Sequence, residues 1–151
     1  MSVLFVLFVS VFVVALVVLS AVGRLADEDS MRGHLTRYGQ AHLPLVFMGF
    51  LGYHLYYMLT LWGSLMHLVG AQLGIDILQH AQWNVNAGVL RFLIHLVQWC
   101  GFYWTLFLII NIARQKKGFL FAFLLHSIAA LFITLFFIAA LDFHFFKIPY
   151  F

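Results

Sequence analysis

Residues 119–141 read FLFAFLLHSIAALFITLFFIAAL, a run without a single Lys, Arg, Asp or Glu. As an α-helix at 1.5 Å per residue it is about 34 Å long, enough to cross about 30 Å of hydrocarbon. Its apolar character is continuous. A membrane β-strand would instead alternate polar and apolar residues and turn every ten or so positions. Lipid offers no partner to a free backbone N–H, so a continuous apolar run of this length is expected as helix.

Three further runs have the same character: about residues 3–22, 43–70 and 89–113. The two longer ones exceed the minimum span and are expected to tilt or to extend past the hydrocarbon. The expected fold is all-α: a polytopic, four-helix transmembrane bundle with short connections, one domain over residues 1–151. Composition agrees, because 65% of the 151 residues are hydrophobic and 9% are charged, whereas a soluble domain carries about 25% charged residues. Soluble, disordered and disulfide-stapled classes are excluded; Cys100 is the single cysteine.

The net charge of +3 does not point to nucleic acid, because the basic residues sit in gaps between apolar runs and form no stripe. They read better as orientation signals. Arg24, Arg32 and Arg37 occupy the first connection, and Arg114, Lys116 and Lys117 the third. An even number of crossings separates these connections, so six of eight basic residues fall on one side. Arg91 and Lys147 remain for the other. The positive-inside rule then predicts both termini on the outer, periplasmic-equivalent face of a bacterial or mitochondrial inner membrane. The first run lacks Lys and Arg before its apolar stretch and is long for a signal peptide, so it reads as a retained helix. Residues 71–88 mix Ile75, Ile77, Leu78 and Trp83 with polar neighbours, which predicts a short interfacial helix anchored by Trp83.

Eight histidines are the outlier in a chain that otherwise avoids polar groups. Intramembrane ionisable residues mark function by default. His54, His67, His95 and His126 fall within predicted helices, with His42 and His144 at helix margins and His34 and His80 in connections. His126 and His144 are eighteen residues apart, five whole turns, and share a face with Ala122, Ala129, Ala130, Ile133, Phe137 and Ala140. Gly49, Gly52, Tyr56, Thr60, Gly63, His67, Gly70 and Gly74 share a face of the second helix, suited to close approach by another backbone or by a flat macrocycle. His54 points to nearly the opposite face.

Depth along the predicted spans pairs His67 with His95 near the outer side, with His144 as an alternative partner. It pairs His126 with His54 farther in, against the face of His54. Arg91, one turn outward of His95, would suit a haem propionate. One or two b-type haems (haem b, with His67 and His95 as the first iron ligands) are thus one expectation. The layout is similar to that of the membrane cytochrome b subunits that anchor quinone-linked dehydrogenases, in architecture alone. That resemblance implies an electron-transfer subunit in contact with quinone and with other membrane subunits of a respiratory chain.

The competing expectation is an accessory subunit of a respiratory or secretion complex, with no cofactor. Helices apolar on all faces fit both. Other enzymes fit worse. No two histidines are closer than eight positions, no His-Glu-x-x-His motif is present, and there is no cysteine pair. A carrier or channel is disfavoured because no polar stripe runs along all four predicted helices. Asp142, the only acid near a span, lies at a helix end.

Overall fold

The computed structural model describes residues 2–27, 30–80, 85–115 and 118–147. Trp83, Lys116 and Lys117, invoked above as anchor and orientation signals, lie outside them. The chain is all-α: α1 Ser2–Asp27, α2 Met31–Ala41, α3 Leu43–Leu73, the short α4 Asp76–Gln79, α5 Ala87–Ala113, α6 Phe119–Leu141, and a π-helical turn Asp142–Phe146. Three stretches are long and apolar enough to cross a membrane: Met31–Trp62, Ala87–Ala113 and Phe119–Phe146. A shorter apolar helix covers Phe12–Arg24. Such a chain is suited to be an integral membrane protein.

The largest departure from expectation is α2. Residues 31–41 read as a polar connection, yet they form a helix. Ser30 starts it, its hydroxyl accepting the Gly33 N–H at 3.1 Å, a typical N-cap bond. His42 stays in the right-handed helical region (φ −88°, ψ −7°) between α2 and α3. Its N–H donates to the Tyr38 and Gly39 carbonyls, both at 3.2 Å, and its carbonyl accepts from Val46 at 3.3 Å. The chain therefore runs on into α3 with only a local break. Pro44 causes the break, because it has no N–H to give the preceding turn. The candidate span after α1 thus begins at residue 31 rather than 43.

Side-chain contacts set the directions. Gly23 of α1 faces His34, and Phe12 packs edge-on to His42 at 6.5 Å, so α1 and α2 are antiparallel. Met48 and Gly52 of α3 lie level with Gln98 of α5, and Leu45 lies level with Gly101; these helices too are antiparallel. Gly49 meets the Phe137 ring of α6. Arg24, Arg32, Arg37 and Arg114 consequently share one end of the bundle. By this register the start of α5 is level with about residue 60 of α3. The rest of α3 runs on past the level of the α5 start to Gly74, whose left-handed conformation (φ 68°) closes the helix, as glycine does at low cost. Between the end of α3 and the start of α5, α4 is the only helix among the described residues.

Two apolar clusters fill the interior. The lower one joins Tyr38, Ala41, Leu45, Ile109, Ala122 and Ala130. The upper one joins Leu90, Ile94 and Leu141, with Tyr53, Tyr56 and Phe145 against it. Large apolar side chains such as Val14, Phe47, Phe92, Phe107 and Phe132 point outward.

Close approach of α3 and α5 depends on Gly101. An added Cβ would sit 2.8 Å from Met48 Cβ and 3.4 Å from the Leu45 Cα. Gly101→Val is expected to cost about 1–3 kcal/mol by overpacking, read as a lower thermal midpoint in detergent. Gly39→Ala, where nothing lies within 4 Å of the new atom, should leave the midpoint unchanged or raise it.

Candidate functional site

Two polar clusters are buried in the bundle, one near each end. At the upper end Asp142 opens the π-turn and has no exposed surface. Arg91 grips its carboxylate with two nitrogens, Nη2 to Oδ2 at 2.7 Å and Nε to Oδ2 and Oδ1 at 3.1 and 3.2 Å. His95 Nε2 donates to Oδ1 at 3.0 Å. Arg91 and His95 are four apart on α5, so one face presents both to the acid. Their side chains keep 35% and 26% exposure, which opens the cluster to the surface at that end. One turn deeper on the same face, Gln98 Nε2 donates to the Met48 carbonyl at 3.0 Å. Gly52 makes room for that amide.

At the lower end α2 and the residue that follows it present His34, Tyr38 and His42 at a spacing of four, all buried. His126 of α6 enters among them. Its ring stacks on Tyr38, centroids 3.9 Å apart and planes within 3°. Its Nε2 lies 3.0 Å from Nε2 of His34. A hydrogen bond between two imidazole nitrogens needs one that carries hydrogen and one that is bare. In the neutral pair, therefore, one outer Nδ1 is an acceptor and the other a donor. His42 is fixed differently: Nδ1 donates to the Tyr38 carbonyl at 2.7 Å, which leaves Nε2 as the acceptor nitrogen of the neutral ring. Gly23 lets α1 close over this group, since a Cβ there would lie 2.5 Å from His34 Nε2.

The residues expected as ligands are distributed otherwise than depth predicted. His95 is level with about Gly52. His67 lies fifteen residues farther along α3, about 22 Å at the helical rise, and is exposed. These two do not meet. His126 is paired with His34, not with His54. His54 is exposed and edge-on to Phe50 at 4.0 Å. His144 is exposed too and stacks over Tyr53 at 6.2 Å. Arg91 is committed to Asp142. The 3.0 Å between the His34 and His126 nitrogens is a hydrogen-bond length, shorter than the roughly 4 Å that two axial bonds of about 2 Å to one metal would require. Among the described residues, no three His, Cys, Asp or Glu are arranged to hold a metal ion.

Sequence reasoning passed over His34, Tyr38 and His42 as a set, and Asp142 as a partner. The signal for the first was the H-x-x-x-Y-x-x-x-H spacing of residues 34–42 behind the Ser30 cap. The second had no local signal, because Arg91 and Asp142 are fifty-one positions apart. No known protein family, curated protein or solved structure matches the chain.

The buried carboxylate makes the upper cluster sensitive to removal of either partner. Arg91→Leu strands Asp142 and is expected to cost about 3 kcal/mol, the lower end of the range for breaking a buried pair, because Arg91 is one-third open. Arg91→Leu combined with Asp142→Leu should regain part of that loss. A double-mutant cycle in detergent measures the coupling; additive losses would show that the pair contributes nothing.

Proposed function

We propose that the chain is a small integral membrane subunit that works bound to other membrane proteins. Its four apolar helices cross the bilayer and both chain ends lie on the outer face. Arg24, Arg32, Arg37 and Arg114 at one end of the bundle support that orientation.

The observation that carries the reading is the row of exposed apolar side chains on the far end of α3. Residues 31–73 run for about 64 Å, twice the hydrocarbon thickness, and α3 outruns α5 from about residue 60. Beyond that level Leu61, Trp62, Leu65, Leu68 and Leu73 are all exposed. A helix that leaves the hydrocarbon with its leucines uncovered carries an apolar patch of the kind that marks a protein contact. A subunit with its own apolar surface above the membrane fits it.

The imidazoles inside the chain are held by protein groups rather than facing one another across a gap. His95 is bound to Asp142 and His126 to His34.

Two measurements test the reading. Solubilised from its native membrane in mild detergent, the chain should migrate well above its own mass on a native gel. Leu65→Asp with Leu68→Asp should release it as a folded monomer. A monomer before any substitution would overturn the proposal. A reduced-minus-oxidised visible spectrum of the purified chain reads the electron-transfer alternative directly: a b-type α-band lost in His67→Ala or His95→Ala would establish that function instead.

A further inference from the structure

At the basic end of the bundle a cleft of about 330 Å³ opens between α2 and α5. Its α2 wall is Arg37, Gln40 and Ala41; its α5 wall is Leu108, Ile112 and Gln115. Each set recurs at steps of three and four residues, so each helix turns one face to the cleft. The α2 wall is mainly polar, a guanidinium and an amide with the small Ala41 side chain beside them. The α5 wall is apolar over Leu108 and Ile112 and ends in the amide of Gln115. Among the described residues that line the cleft there is one cation and no acid. Arg37, Gln40 and Gln115 are exposed, so the cleft is open to whatever surrounds the bundle at that end.

The depth of the cleft matches the step from headgroups to hydrocarbon. α5, Ala87–Ala113, is about 40 Å long, about 10 Å more than the hydrocarbon. Shared between the two ends, that excess leaves about three residues of each end among the headgroups. Gln115 and Ile112 then fall at headgroup level and Leu108 inside the hydrocarbon. Leu45 is level with Gly101, so Arg37, eight residues lower on the antiparallel helix, comes level with about residue 109. An arginine at that level reaches headgroup phosphates with its side chain. Trp104, one turn above Leu108, is exposed and continues the apolar surface toward the middle of the bilayer.

These walls suit an anion that carries hydrocarbon. A guanidinium has five N–H donors in a plane and can hold a phosphate through two of them. The glutamine amides add neutral donors. An apolar wall beside them favours a ligand with apolar surface to bury over an ion at home in water. The volume is at the small end for ligand sites. It suits a headgroup, with the acyl chains left on the lipid-facing surface along Leu108 and Trp104. Arg24, Arg32 and Arg114 at the same end add to the attraction for an anionic leaflet.

We propose that this cleft binds the headgroup of an anionic phospholipid, with the phosphate on Arg37, Gln40 and Gln115 and an acyl chain against Leu108 and Ile112. Basic pockets between membrane helices on the positive side are where acidic lipid headgroups are held. The proposal rests on the bilayer reading given above and needs no partner subunit.

The test is lipid selectivity. The chain, in the assembly in which it is recovered in detergent, is delipidated and titrated with phosphatidylglycerol or with phosphatidylcholine, and bound lipid is counted by native mass spectrometry. Phosphatidylglycerol should bind more tightly, at one molecule per chain before any further uptake. Arg37→Gln should weaken phosphatidylglycerol about fivefold and leave phosphatidylcholine unchanged. Gln115→Glu, which puts an acid into the cleft at an exposed position, should weaken it too. Arg24→Gln, at the same end but outside the cleft, should change it little. Equal affinity for the two lipids overturns the proposal, as does an affinity undiminished in Arg37→Gln. A loss as large in Arg24→Gln overturns it as well, because diffuse charge rather than a site would then be responsible. Inorganic phosphate is the further arm: if it displaces phosphatidylglycerol at equal concentration, the cleft is a site for free phosphate and the lipid assignment falls. The same spectra give the mass of the assembly, so a monomer that still prefers phosphatidylglycerol overturns the partner reading and upholds this one.

Discussion

Hydrocarbon gives a buried polar group nothing to bond to. In water a misplaced amide or carboxylate turns to solvent; here it must be met by another part of the chain or by water that the chain admits. Asp142 shows how far this reaches. A carboxylate with no exposed surface is tolerable because Arg91 binds it through two nitrogens and His95 through a third. Those residues are one turn apart on α5, so α6 must end level with the upper part of α5. The wider π-turn at Asp142–Phe146 brings the acid to that face and stacks Phe145 on Tyr56, centroids 3.8 Å apart. One ionic contact therefore ties the ends of α5 and α6 to the middle of α3.

Register among the other helices follows from matching large groups to glycines. The Gln98 amide needs Gly52, the Phe137 ring needs Gly49 and the His34 ring needs Gly23. Each pair fixes one level, and no pair survives a slip of one residue, because the glycine would rotate away by about 100°. These contacts decide which polar groups share a depth. His126 meets His34 because Gly23 admits the His34 ring between α1 and α6 and because Ala122 and Ala130 keep α6 close on either side of it.

The apolar runs of the sequence were legible because lipid forces them to be continuous, and the observed α1, α3, α5 and α6 cover them. What hydropathy could not show was α2. Its exposed face carries Arg32, Thr36, Arg37 and Gln40, and its buried face His34, Tyr38 and Ala41; averaged together these look like a connection. An amphipathic helix inside a bundle is invisible to a filter that asks only for grease. Without α2 the candidate span starts twelve residues later, about 18 Å along the helix, and depths counted on that helix shift with it. His34 lies level with His126 and His67 about fifteen residues of α3 beyond the level of His95, so the pairing of His67 with His95 rests on levels that the register does not share. Arg91 and His95 were recognised as a unit, but their partner was taken to be a propionate because the acid lay fifty-one positions away on another helix.

The two clusters differ in how completely their hydrogen bonds are closed. The upper one is closed on itself: the acid, the guanidinium and the imidazole consume one another's charge and most of one another's hydrogen bonds. A group held in that way has little left to offer a substrate and much to offer stability. The lower one joins imidazoles by a single contact that two tautomers can satisfy equally, and His126 keeps a nitrogen that no described residue meets. Stacking on Tyr38 fixes where the ring is without fixing which nitrogen holds hydrogen. The same helix that hydropathy overlooks, α2, supplies the partners that hold it so.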